Sequence, residues 1–187
     1  VAETFRECPE ALWVTGGMKE IDAHGQFLRE LPARRFALSR LLRNNIIYHP
    51  ATFVKRSVMA ELGGFDESLR FAMDYDLWLR VCHQYPVFYI DQPLIKKFGG
   101  HHDQLSRKYW GMDRFRIRSL DGLINRYRLS AEQQQQAVTM LIKKLRILLK
   151  GALKHDNQDV INECRPLLAH YESLARPVNR AGDSLTC

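Results

Sequence analysis

Among the side chains able to carry acid–base, metal or nucleophilic chemistry, two acids draw attention first. Asp74 and Asp76 stand two residues apart at the head of a segment, 74–84, that reads as a helix. Carboxylates so placed can hold or accept protons. The backbone dipoles of a helix also favour negative charge in its first turn, which is the plainest reason for two acids there. Asp76 and Arg80 make an i,i+4 pair worth at most a few tenths of a kcal/mol. Of the seven histidines only His101 and His102 are adjacent, and no pair has the His-x-x-x-His spacing of a helical zinc site. The cysteines, Cys8, Cys82, Cys164 and Cys187, are far apart and form no Cys-x-x-Cys. Neither a zinc site nor a disulfide framework is expected, and reduced thiols in a cytoplasmic setting are the default.

These groups need elements to hold them. Residues 1–8 read as the end of a helix stopped by Pro9. Residues 12–15 read as a short strand, rich in aromatic and β-branched side chains, broken by Gly16-Gly17. Residues 21–25 read as a turn in which Gly25 takes a positive φ. A helix is expected at 36–43, ended by Asn44-Asn45, and an extended stretch at 46–54, interrupted by Pro50. Ser57 is the expected N-cap of a helix at 58–62, Gly63-Gly64 its stop, and Phe65-Asp66-Glu67 a turn. Leu77 and Trp78 in the 74–84 helix read as core, and 87–90 reads as a strand.

Beyond residue 106 strand signals vanish. Ile117, Leu120, Ile124 and Tyr127 recur at helical spacing, and Ser130 with Gln133 is a capping-box signature. Leu141, Leu145, Leu148, Leu149 and Ala152 line one face of the next helix. His155-Asp156-Asn157 reads as a turn, followed by a helix over 159–174 that Pro166 should kink or break. The chain is thus read as α/β over 1–106 and as a helical hairpin appendage over 107–187.

The composition is that of a globular protein. The 187 residues are 45% hydrophobic and 26% charged, and 28 basic against 21 acidic residues give a net charge of +7. No apolar run approaches the roughly 20 residues of a membrane span. The first 15 residues lack the basic start and apolar core of a signal peptide, so none is expected. The opening at Val1, in what reads as mid-helix, is taken as a sign of a piece of something longer.

Residues 45–106 carry a more specific pattern. His49-Pro50-Ala51-Thr52 is followed by Arg56-Ser57, Gly63-Gly64-Phe65-Asp66-Glu67 and Met73-Asp74-Tyr75-Asp76-Leu77-Trp78-Leu79-Arg80, then Pro93-Leu94, His101 and Ser106. In this order the set resembles the C-terminal half of family 2 glycosyltransferases with the GT-A fold. The resemblance implies a partial GT-A, Rossmann-like sheet followed by a helical region. It implies sugar transfer from a nucleotide-sugar donor to a hydroxyl acceptor, with inversion, in the synthesis of a surface glycan or lipid-linked saccharide.

Residue by residue, the resemblance makes Asp74 the general base, which takes the acceptor proton as the hydroxyl attacks the anomeric carbon. His101 matches a histidine that contacts the metal or the diphosphate, and His49, Thr52 and Asp76 fall on the substrate-binding side. Two departures stand out. Met73 occupies the place of the family's Glu, and no Asp-x-Asp metal motif occurs at a suitable point, since Asp74-x-Asp76 lies at the wrong place in the order. A divalent metal, Mn or Mg, is therefore expected to have its main ligands upstream of Val1, with roughly the first half of the catalytic domain outside this chain. The chain alone is expected to bind no nucleotide sugar and to be inactive.

The alternative is a non-catalytic scaffold of the same fold, for which Met73 speaks. Its basic residues, Lys143, Lys144, Arg146, Lys150 and Lys154 in one helix and Arg107, Lys108, Arg114, Arg116 and Arg118 before it, would then bind a partner protein or an anionic membrane surface. The duller expectation for the first group is a helix packed in a hairpin with its lysines solvated. No nucleic-acid-binding motif is found, and nucleic acid is not an expected partner. Cytoplasmic location, peripheral to the inner face of a membrane, follows from this reading.

Overall fold

The computed structural model describes residues 1–33, 35, 37–98 and 112–175. After a short helix α1 (Ala2–Glu7), the nine-residue strand β1 (Trp13–Ile21) forms the spine of a four-stranded sheet. Its partners are β2 (Phe27–Leu31), β3 (Thr52–Val54) and β4 (Phe88–Phe98). β4 runs parallel to β1, from Val14 beside Phe88 to Ile21 beside Phe98. The opposite edge is shared: β3 lies antiparallel to Trp13–Thr15, and β2 antiparallel to Met18–Ile21.

β1 is longer than the strand expected at 12–15, because Gly16-Gly17 does not end it. A Cβ on Gly17 would stand 2.9 Å from the Leu31 carbonyl oxygen, and one on Gly16 would collide with the Leu94 side chain. The two glycines let neighbouring strands approach closely instead of breaking the strand. β4 likewise extends well past the expected 87–90. The turn after β1 is as expected: Asp22 Oδ1 accepts bonds from the His24 and Gln26 amides, and Gly25 has φ +80°.

The helices are α2 (Leu38–Arg43), α3 (Arg56–Glu61), α4 (Met73–Gln84), α5 (Asp113–Arg126), α6 (Ala131–Lys154) and α7 (Gln158–Ala175). α3 starts at Arg56 with Lys55 as its N-cap, so Ser57 lies inside the helix and caps nothing. Its stop is the Gly63-Gly64 pair, at φ +73° and +69°, a region where only glycine is unstrained. Ser130 and Gln133 make the expected reciprocal capping box on α6. The turn into α7 places Asp156 at φ +50°.

α7 runs on through Pro166. Proline deletes one backbone bond there. Val160, Ile161 and Cys164 before it and Tyr171 after it are all buried, so packing holds both halves against one core. That core is continuous: Trp13 of β1, Leu41 of α2, Leu77 and Trp78 of α4, Leu120 of α5, Leu145 of α6 and Tyr171 of α7 belong to a single cluster. The architecture is α/β, a partial Rossmann-like sheet followed by α-helices, as expected.

The basic helices are more engaged than expected. Lys144 is buried, not solvated, with its ammonium 3.3 Å from Asp113 Oδ1. Burial pushes that ammonium below its usual range, and Asp113 opposes the shift. Arg146 pairs with Glu172 at 2.7 Å, and Arg114 and Arg118 both bind Glu163. Among the described residues no helix is long and apolar enough to cross a membrane.

Candidate active site

Asp74 sits in the first turn of α4, just after a sharp entry to the helix. Ala72 has φ +59° and ψ 22°, a left-handed conformation that costs a non-glycine residue about 1 kcal/mol. The helix then starts at once, with the Asp76 amide bonded to the Ala72 carbonyl at 3.0 Å. Both oxygens of the half-buried Asp74 carboxylate are oriented. Oδ1 accepts from the Tyr75 amide at 2.8 Å, and Oδ2 accepts from Asn45 Nδ2 at 2.7 Å. Asn45 is fixed in turn by the Ile47 amide, which donates to its Oδ1 at 3.3 Å. A carboxylate has about four acceptor positions. These two bonds therefore aim the group without exhausting it.

The segment that supplies Asn45 goes on to supply His49 and Thr52, two of the residues expected on the substrate-binding side. His49 opens a single 3-10 turn, His49–Ala51. Its exposed ring lies 5.6 Å from that of Trp78 and 5.7 Å from that of Phe65. Trp78 is four residues after Asp74 and so shares its face of α4. The strap from Asn45 to Thr52 therefore meets α4 twice on one face, at Asp74 through Asn45 and one turn on through His49. Thr52 closes the strap: its hydroxyl donates to the Tyr48 carbonyl at 2.9 Å and accepts from the Thr15 hydroxyl of β1 at 2.9 Å. Trp78 is buried and stacks on Trp13, centroids 5.8 Å apart, which ties α4 to the sheet. Tyr75 is buried and donates to the Leu42 carbonyl at 2.7 Å, and burial raises its phenol far above its ordinary range.

Asp76 points elsewhere. Two residues along a helix is about 200° of rotation, so Asp76 lies on the face opposite Asp74. There it is buried, and Arg80 Nε donates to its Oδ2 at 2.8 Å. Arg80 also donates to the Leu62 carbonyl at 2.6 Å and the Gly64 carbonyl at 2.8 Å. The pair thus pins the Gly63-Gly64 stop to α4. Removing either partner would leave the other as a buried, uncompensated charge, which an exposed i,i+4 pair does not risk. Burial pushes the Asp76 carboxyl up, and Arg80 pulls against that shift.

His101 lies outside the described residues. Among the described residues no three His, Cys, Asp or Glu side chains come together in a metal-holding group, so they do not by themselves supply a divalent-metal site. Sequence reasoning missed Asn45, which it treated only as the end of a helix, and it missed the three-way role of Arg80. Asn45 is separated from Asp74 by 29 residues, beyond the reach of any local spacing rule.

No protein-family model matches the chain. Over 102 residues, 51% of this chain, it is 29% identical to an uncharacterized glycosyltransferase of Rickettsia felis. The match spans 17% of that relative's length. The similarity supports a glycosyltransferase-like relationship in general terms.

Proposed function

We propose that this chain is part of a family 2, GT-A glycosyltransferase that moves a sugar from a nucleotide-sugar donor to a hydroxyl acceptor, with Asp74 as the general base. The observation that carries the reading is the Asp74 carboxylate, held at the head of α4 by Asn45 with acceptor capacity to spare. In the reaction the acceptor hydroxyl gives its proton to Asp74 as its oxygen bonds to the anomeric carbon. The bond from that carbon to the diphosphate oxygen breaks, the nucleotide leaves, and the configuration inverts. His49 and Thr52 belong to the acceptor side, and His101 to the metal or diphosphate. A divalent metal, Mn or Mg, held mainly by residues outside this chain, would stabilise charge on the diphosphate.

Because the match spans 17% of the relative, the activity is assigned to the parent protein and not to this chain alone. A growing surface glycan or lipid-linked saccharide is the proposed acceptor. The test is Asp74→Asn in the full-length protein, with turnover measured over a panel of nucleotide sugars. Loss of a positioned base should lower turnover about 10²- to 10⁴-fold. Turnover that survives the change overturns the assignment.

A further inference from the structure

Gly122 is a glycine without a local reason. It stands inside α5, where glycine weakens a helix relative to almost any other residue. Close helix packing often explains such a residue, but a Cβ built on Gly122 meets nothing within 4 Å. What it borders is a cleft of about 260 Å³ between the loop after Gly63-Gly64, α4 and the end of α5. The missing side chain keeps that cleft open.

The cleft walls have a definite chemistry. Phe65 and Tyr127 offer ring surface, and Phe65 is 38% exposed. Asp66 and Arg126 face one another, with Arg126 Nη1 3.8 Å from Asp66 Oδ2, too far for a direct hydrogen bond. Asp66 Oδ1 is taken by the Ser68 amide and hydroxyl, so its Oδ2 and the guanidinium keep capacity for a ligand hydroxyl that lies alongside both. The deeper pair, Asp76 and Arg80, is already committed to each other and to the loop carbonyls. Two acids balance two guanidiniums, so the cleft offers no net attraction to an anion. A purely apolar ligand would displace water from the Asp66–Arg126 pair and offer it no hydrogen bond in return. A neutral ring with hydroxyls on its edge and an apolar face satisfies both walls. At this volume, below the ~300–1,000 Å³ of drug-sized sites, the space suits one sugar ring and not a whole nucleotide sugar.

We propose that this cleft is a saccharide-binding subsite, separate from Asp74 and on the opposite face of α4. It holds one ring of a neutral glycan between Phe65, Tyr127 and the Asp66–Arg126 pair. This site does not depend on Asp74 being a base.

The test is a titration of this chain, ¹⁵N-labelled, with glucose, galactose, N-acetylglucosamine and maltose at millimolar concentration. At least one sugar should shift the amides of Phe65, Asp66, Gly122, Arg126 and Tyr127. Gly122→Leu fills the cleft with a better helix former and should lose those shifts while circular dichroism stays native. Should Gly122→Leu fail to fold, Arg126→Gln at the exposed rim should still weaken the shifts. Asp74→Asn should leave them unchanged, which separates this proposal from the catalytic one. The proposal is overturned if no sugar moves these amides, if inorganic phosphate moves them and sugars do not, or if folded Gly122→Leu binds as well as the parent.

Discussion

Asn45 donates from Nδ2 to Asp74 Oδ2 at 2.7 Å, while its own Oδ1 is held by the Ile47 amide. The amide is thus locked by backbone at one end and aims a carboxylate with the other. On the reading of Asp74 as the base, Asn45 is a positioning residue. Asn45→Ala in the full-length enzyme should lower kcat on the order of 10- to 100-fold, because misplacing a reacting group by about 1 Å costs that much. KM should barely move. A rise in KM with kcat unchanged would place Asn45 in binding instead.

Arg80 holds three partners from a buried position. Arg80→Met should destabilise the fold by about 3–5 kcal/mol, because it strands Asp76 as an uncompensated buried charge. Adding Asp76→Asn should recover part of that loss. Urea denaturation of the two variants checks both statements, and equal midpoints would contradict the second.

Two glycines should respond to alanine with opposite signs. Gly17→Ala forces a Cβ to 2.9 Å from the Leu31 carbonyl oxygen, a backbone atom with little room to yield. A cost of about 1–3 kcal/mol is expected from such overpacking. Gly122→Ala meets open space and should stabilise α5 by up to about 1 kcal/mol. Thermal melts of the two variants suffice to compare them.

Glu163 links α7 to α5 through Arg114 and Arg118. Burial pushes its carboxyl up, but bonds from Arg118 and Arg114 outweigh this and hold it below its ordinary value of 4.5. A carboxyl with a lowered folded value stabilises the fold above its unfolded value, and that contribution disappears as pH falls through the folded one. The parent chain should therefore lose more stability than Glu163→Gln on acidification from pH ~5 to ~3. Urea midpoints measured across that range should converge at the acid end. Parallel curves would show that Glu163 contributes nothing titratable.

Much of the frame was legible because its signals are local. The Ser130–Gln133 box, the Gly63-Gly64 stop, the Asp22–Gln26 turn and the buried positions Ile117, Leu120 and Ile124 each depend on groups within a few residues of one another. Backbone sterics and helical periodicity act at that range, so type and spacing suffice. The start of α4 and the position of Asp74 in its first turn were readable for the same reason.

The rest was decided by which elements meet. Gly16-Gly17 reads as a break until Leu94 and Leu31 arrive beside it, and then the absence of a side chain extends the strand. Pro166 reads as a kink until the core holds both halves of α7. Lys144 reads as solvated, and Asp76–Arg80 as a simple i,i+4 pair, until neighbouring helices and the glycine loop exclude water and change what their charges are worth. Asn45 reads as the end of a helix until the fold lays it against Asp74. By itself the sequence determined which residues were available and the local shapes they take. The tertiary structure alone decided which of them are desolvated and paired, because burial and long-range contact belong to the packed chain and to no single stretch of it.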